Sequence, residues 1–380
     1  MQSNKKTPRK TSPGSEFLDN IGSNVASADS QGVTVSVYKR LQTLNKRSRK
    51  LRKEIFQLRK DIGKFIPRVK PCGCYPINKA NDIEVVRGES GRSFFTGLQH
   101  CKSVWTCPVC SLKISLERAL EVQDICVNAF EEGLNASFVT LTIPHQIFDK
   151  CVDLKKTVSN SWRKVTNSRA YKDLKIKYKI RGYIRALEIT KGSNGWHPHL
   201  HVLFLADASK GEIVAMSESI INQWLAVLGS GDRAASRAAQ NLQLVYNSDG
   251  IEDYITKWDL SKELTEGHTK KTSRTPLMIF KEFQSTGDED LLNDYKEFAR
   301  AFHGARQLTF SRGLKEEFLK IGDMTDEEIV KDEKVDEVLF VLSPGLWKDI
   351  VRNNLEAAIL NAYDEHGIKA AMKVTVRRYG

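Results

Sequence analysis

Apolar and polar residues alternate along three stretches in the middle of this chain, "FVTLTIP" (138–144), "RGYIRALEIT" (181–190) and "PHLHVLFLA" (198–206). A period of two sends successive side chains to opposite faces, so each stretch predicts a β-strand. In "WHPHLHVLF" (196–204) this puts His197, His199 and His201 on one face and Leu200, Val202 and Phe204 on the other. "GEIVAMSESIINQWLAVLG" (211–229) instead repeats its apolar positions near every 3.6 residues and predicts a helix. A mixed α+β core over roughly 135–260 follows.

Upstream the period changes again. Val37, Leu41, Leu44, Leu51, Ile55, Leu58 and Ile62 form a heptad seam interrupted at Ser48, predicting a long helix that ends near Pro67. Residues 1–36 are rich in Ser, Asn, Gly, Lys and Pro and predict a disordered tail. Past residue 320, helical stretches alternate with charged loops such as "GDMTDEEIVKDEKVDE", and 321–380 reads as a C-terminal accessory region. No internal repeat is visible.

Charge sharpens this outline. The 380 residues carry 59 Lys and Arg against 47 Asp and Glu, a net charge of +12 that favours a polyanionic partner, nucleic acid first. Nearly all of the excess sits in the heptad segment, where residues 39–70 hold thirteen Lys and Arg against Glu54 and Asp61. Three readings of this basic helix, taken as 37–70, stay open: a solvated helix packing its stripe on the body, a short coiled coil that would make a homodimer, or an arm gripping phosphates. The chain has no apolar run of the ~18–20 residues that a membrane span needs, and no apolar signal-peptide core, so a soluble protein with no membrane partner is expected.

Five of the seven cysteines crowd into residues 72–110, a distribution that suits metal ligation in a reducing cytoplasm better than a disulfide framework. Cys107-Pro-Val-Cys110 is the tight knuckle that structural Zn²⁺ favours, within a cysteine-rich element at 71–118. Cys74 and Cys101 complete the expected Zn²⁺ set, with Cys72 or His100 in reserve. Unligated buried thiols are the bland alternative; a redox role lacks a surrounding thioredoxin-like βαβ pattern.

His199 and His201 flank Leu200, and Glu188 lies eleven residues earlier near the end of another predicted strand, with "KGSNGWHP" as a hairpin connection. Pairing would bring the carboxylate beside both imidazoles. Two His and one carboxylate suit a divalent cation, Mg²⁺ or Mn²⁺, acting as Lewis acid on a phosphate oxygen. Taken alone, His-x-His on a strand is equally well read as ordinary core or surface histidines.

These motifs come in a recognisable order. "FVTLTIP", "WHPHLHVLF" and "EDYITKW" (252–258) follow the sequence of the three HUH endonuclease motifs, and "GARQLTFSRGL" (304–314) follows downstream. With the cysteine element, the chain over roughly 72–314 resembles the Rep_1-type Rep proteins, initiators of rolling-circle plasmid replication. The resemblance implies an HUH endonuclease core at 119–320, a ferredoxin- or RRM-like antiparallel sheet with helices on one face and the "FVTLTIP" and histidine strands adjacent at its centre. It implies divalent-metal ligation by Glu188, His199 and His201, and a nucleophilic Tyr254 with Lys257 neutralising charge nearby.

The implied activity is sequence-specific nicking of a single strand at the plasmid double-strand origin. A 5′-phosphotyrosine link and a free 3′-OH primer form, and the DNA is rejoined at termination. DNA, host helicase and host polymerase are the implied partners, in a bacterial cytoplasm. Members of the family often carry a glutamate four residues before the tyrosine; Gly250 stands there, leaving Glu252 or Asp253 as substitutes, with Glu252 taken for the role. His197, separated from the pair by Pro198, is expected beside the site rather than as a ligand. An HUH transposase or relaxase, or a non-catalytic zinc-containing DNA-binding protein, are the alternatives.

Overall fold

The computed structural model describes residues 51–88, 93–229, 234–245, 273–320, 322, 324–331 and 335–376, all within one compact unit, Arg49–Gly380. Tyr254, Lys257, Glu252, the tail and the heptads before Leu51 lie outside the described residues. The first described element is helix α1 (51–65), which stops before Pro67 as the missing proline N–H requires. Its stripe Leu51, Ile55, Leu58 and Ile62 is buried against the body. Over this stretch the seam is therefore occupied by the chain's own core.

The charges of α1 are partly buried too. Arg52 meets Asp364 at 2.8 Å, and Arg59 and Lys60 meet the buried Glu356 at 3.5 and 3.0 Å. Arg52 and Arg59 are thus structural rather than solvated cations.

Two sheets follow, both antiparallel. The small one, ordered β2-β1-β9, joins β1 (Ile83–Gly88) and β2 (Ser93–Phe95) of the cysteine region to β9 (Val335–Leu342). Ile83, Val85, Phe95, Leu342, Trp347 and Ile350 share its core with Ile359 and Leu360, so residues beyond 320 are packed onto the cysteine region.

The large sheet runs β6-β3-β5-β4-β7, with β8 also pairing β4. Its strands are β3 (Asn135–Thr142), β4 (Ile180–Gly192), β5 (Gly195–Ala206), β6 (Asn241–Val245), β7 (Ser273–Arg274) and β8 (Leu308–Phe310). β3 and β5 are adjacent and central, and β4 and β5 form a long hairpin. Helices α3 (Cys151–Asn167), α4 (Arg169–Lys177) and α5 (Lys210–Leu228) cover one face through Val158, Trp162, Tyr171, Ile220 and Trp224, packed on Val139, Leu141, Leu200, Val202 and Phe204. Helix α5 starts at a capping box of Ser209 and Glu212, which satisfies two otherwise orphaned N–H groups. Two further helices, α6 (Pro276–Thr286) and α7 (Glu289–Ala301), extend this core; Glu297 of α7 accepts from Trp196 Nε1 at 2.9 Å and from the Cys151 N–H at 2.9 Å.

The second face is covered as well, which corrects the expectation of helices on one face. The histidine face continues as Phe138, Ile184, Leu203 and Leu205, apolar surface that must be removed from water. Helix α2 (Pro108–Glu131) covers it with Val122, Ile125, Cys126 and Ala129, helped by Leu314 and Phe318 of α8 (Leu314–Phe318).

The stretch "GARQLTFSRGL" supplies β8 and the turn into α8. Leu187 N–H donates to Gln307 O at 2.8 Å and Tyr183 N–H donates to Ser311 Oγ at 2.9 Å. Gly182 leaves room for this turn: a Cβ would stand 2.5 Å from Ser311 Oγ and 2.6 Å from Leu314 Cδ1, so both side chains would have to shift. The described chain ends with α9 (Asp326–Lys331), α10 (Pro344–Arg352), α11 (Glu356–His366) and α12 (Ile368–Val376). Among the described residues no helix is long and apolar enough to cross a membrane.

Helix α2 carries a titration of its own. Burial, aided by the negative charges of Glu117 and Glu121, pushes the Asp124 carboxyl up to about 6. A carboxyl raised above its unfolded value favours the protonated native state, so its contribution is fully present below about pH 4 and is lost as pH rises through about 6. Asp124→Asn is therefore expected to stabilise the protein by about 1–3 kcal/mol at pH 7.5. Urea denaturation should show this advantage shrinking as pH falls towards 4.5; an advantage independent of pH would refute the assignment.

Candidate functional site

The hairpin register builds the first site. Glu188 lies directly opposite His199, and His201 sits between Ala186 of β4 and Thr140 of β3, so all three side chains share one face. Nε2 of His199 and Nε2 of His201 converge on the same carboxylate oxygen, Glu188 Oε2, at 3.1 and 3.2 Å. Their outer nitrogens are held by backbone and neighbour: His199 Nδ1 lies 3.2 Å from the His197 carbonyl, and His201 Nδ1 lies 3.0 Å from Thr140 Oγ1. Phe138 stacks on the His201 ring at 5.0 Å.

This donor chemistry calls for a cation. A carbonyl only accepts, so a neutral His199 that donates Nδ1–H to it turns its Nε2 lone pair to the carboxylate. Two electron-rich groups approach at that distance favourably only with a positive charge between them, a proton or a metal ion. With protons in that place, burial opposes ionisation of Glu188, but the positive charge of His201 and hydrogen bonds from both imidazoles outweigh it and hold the carboxyl well below its usual range. An ionised carboxylate with two oriented imidazole nitrogens fits a divalent cation.

The second site is sulfur. Cys72, Cys101, Cys107 and Cys110 bring their Sγ atoms together, with Cys72 3.4 Å from both Cys107 and Cys110 and Cys101 3.9 Å from Cys110. Four sulfurs ~2.3 Å from a tetrahedral ion stand about 3.8 Å apart, so the cluster fits such an ion. Cys107 is the N-cap of α2 with Pro108 at its first position, and Cys110 lies in the first turn. Hydrogen bonds from Cys107, Cys110 and Cys72 lower the Cys101 thiol far below its ordinary value, whereas burial raises that of Cys107. His100 borders the group, its Nδ1 3.9 Å from Cys72 Sγ.

Cys74, expected in this set, lies outside it, and Cys72 stands in its place. Gly73 turns the chain between them at φ +65°, and the Cys74 sulfur accepts from Arg59 Nη1 at 3.0 Å while its thiol reaches the Lys70 carbonyl at 3.2 Å. His197 lies in β5 itself, facing His145 with Nδ1 atoms 3.2 Å apart, and is not among the converging ligand atoms. Thr140 and His145 escaped the sequence reading. The alternation of "FVTLTIP" did carry a signal for Thr140, because Phe138, Thr140 and Thr142 share the face that pairing presents to the histidines.

The chain is thus an antiparallel-sheet protein that carries a Glu-His-His group on one sheet face and, before it in the sequence, a largely buried four-cysteine cluster. Residues 93–341 match the Rep_1 family of replication proteins, and the chain belongs to that family. It is 25% identical over 311 residues to the "Protein rep" of Streptomyces lividans, covering 63% of this chain and 68% of that one. It is 27% identical over 180 residues to the "Protein rep" of Streptococcus pneumoniae, covering 45% and 52%, and 34% identical over 118 residues to that of Bacillus amyloliquefaciens, covering 30% and 33%. No solved structure matches the chain.

Exchanging the two neighbouring cysteines tests the sulfur site. Protein purified reduced and without chelator should carry one zinc per chain by elemental analysis. Cys72→Ser should lower that content and Cys74→Ser should leave it unchanged; the reverse order would restore Cys74 as the ligand.

Proposed function

We propose that this protein initiates rolling-circle replication of a plasmid by nicking one strand at the origin. The observation that carries the reading is the convergence of His199 and His201 on Glu188 Oε2 within a chain of the Rep_1 family. Glu188, His199 and His201 would hold Mg²⁺ or Mn²⁺, which when bound supplies Lewis-acid polarisation of the scissile phosphate. The four-cysteine cluster would hold structural Zn²⁺ at the start of α2.

Tyr254 is the assigned nucleophile. Its phenol oxygen attacks phosphorus and gives up its proton, the bond to the 3′ oxygen breaks, and that oxygen leaves protonated as the free 3′-OH while the 5′ phosphate stays on the tyrosine. Lys257 offsets the negative charge developing at the phosphate, and Glu252 takes the water-activating role at termination. The phosphodiester bond energy is kept in the covalent link, so rejoining requires no nucleotide. Support for bringing this segment to the metal group comes from its described C-terminal flank: Ser273 and Arg274 pair with Gly192 and Lys191, just beyond Glu188 on the same strand. DNA is thus the partner, with host helicase and polymerase acting on the exposed 3′-OH.

Incubation with a single-stranded origin oligonucleotide and Mn²⁺ tests the assignment. Tyr254→Phe should keep DNA binding and lose both the nick and the covalent adduct, and His199→Ala should slow cleavage by about 100-fold or more. A 5′-linked adduct that persists in Tyr254→Phe would remove Tyr254 from the mechanism, and normal metal-dependent cutting by His199→Ala would remove the metal group.

A further inference from the structure

From the Glu-His-His group a row of rings runs along β5 to the loop that follows β3. His201 and His199 are 4.8 Å apart between centroids, His199 and His197 5.1 Å, and His197 and His145 4.6 Å. His145 belongs to the loop, and three residues further on Phe148 is 91% exposed, with Ile147 beside it at 58%. Phe148 and Ile147 together present an exposed apolar pair on the loop that carries His145.

The loop is braced, not loosely tethered. Asp149 N–H donates to Gln146 O at 3.0 Å, and Asp149 Oδ2 accepts from Gln146 N–H at 2.8 Å, closing a turn around Ile147 and Phe148. Gly195, at the tip of the β4–β5 hairpin, lets this turn approach: a Cβ there would stand 2.9 Å from Gln146 O and 3.0 Å from Ile147 Cα. The same hairpin strand carries His197, His199 and His201, so Phe148 is presented on a fixed base next to them. Exposed Lys150 follows directly.

We infer that residues 145–150 form the docking element for the single strand that flanks the scissile phosphate. Phe148 is the platform on which one base stacks, and His197, His145 and Lys150 line the path of the backbone. Every base has a π-face and stacking tolerates sequence, so the element grips the strand without selecting it. Imidazole N–H groups and an ammonium suit a phosphodiester. The inference rests on the Glu188, His199 and His201 group being the cleavage site.

The test uses the full chain and a fluorescent oligo-dT of about 15 nucleotides, read by anisotropy. Phe148→Ala should weaken binding by about 5- to 100-fold, and Phe148→Tyr or Phe148→Trp should retain it. An abasic strand of equal length should lose this dependence on Phe148, because it has nothing to stack. Thermal melting should be the same for all variants, the side chain being exposed. Equal oligo-dT affinity for Phe148→Ala and the unaltered protein, an unchanged deficit on the abasic strand, or no oligo-dT binding by the unaltered protein would each overturn the inference. Failure of metal-dependent cleavage with the Phe148 effect intact would instead strike the proposed nicking activity alone.

Discussion

The convergence of Glu188, His199 and His201 depends on the pairing register of β4 with β5. Glu188 faces His199 because these residues are directly opposite, and a slip by one position would turn the carboxylate to the other side of the sheet. The far face enforces the register. Leu187, Ile189, Leu200, Val202 and Phe204 are buried under the helices there, and a slip would put them in water while drawing charge into the core. A polar site that is costly to assemble is thus positioned by apolar groups that take no part in it.

The histidine face is divided along the strands. Towards His197 it is polar; towards Leu205 it is apolar and covered by α2. That helix begins at the Cys107 to Cys110 knuckle and runs for 24 residues to the cover over the sheet. One rigid element therefore ties the four-cysteine cluster to the face that presents the Glu-His-His group. Buried Arg118, Glu121 and Lys315 reinforce the tie, with Glu121 paired to both cations and Lys315 just past the "SRGL" turn.

The cationic excess of the N-terminal segment has more than one use. Arg59, 1% exposed, bridges the Cys74 sulfur and Glu356, and Arg52 is paired with Asp364, so the start of the described chain is locked to its end. Removing one partner of such a pair leaves an uncompensated buried charge, which makes these contacts strong determinants of how the segments pack. The third strand of the small sheet, Val335–Leu342, makes the same connection through the backbone.

Local pattern is enough to read strands β3, β4 and β5, the α5 helix, the stop of α1 at Pro67 and the neighbourhood of Glu188 with His199 and His201, but not the short strands that complete the two sheets. These are local properties: a period of two or 3.6, a proline, and a hairpin connection each act within about a dozen residues. The choice of Cys72 over Cys74 was not local, since it turns on the φ of Gly73 and on Arg59 arriving from another element. Nor could alternation show that the histidine face would need a helix at one end, because that follows from which strands become neighbours. The fate of the basic helix is non-local for the same reason: a seam of Leu51, Ile55, Leu58 and Ile62 reads alike whether it meets a second copy or its own core, and only the tertiary packing supplies the partner. Local pattern sets the elements and the chemical groups they carry; packing settles which groups meet, because burial and pairing compare residues far apart in the chain.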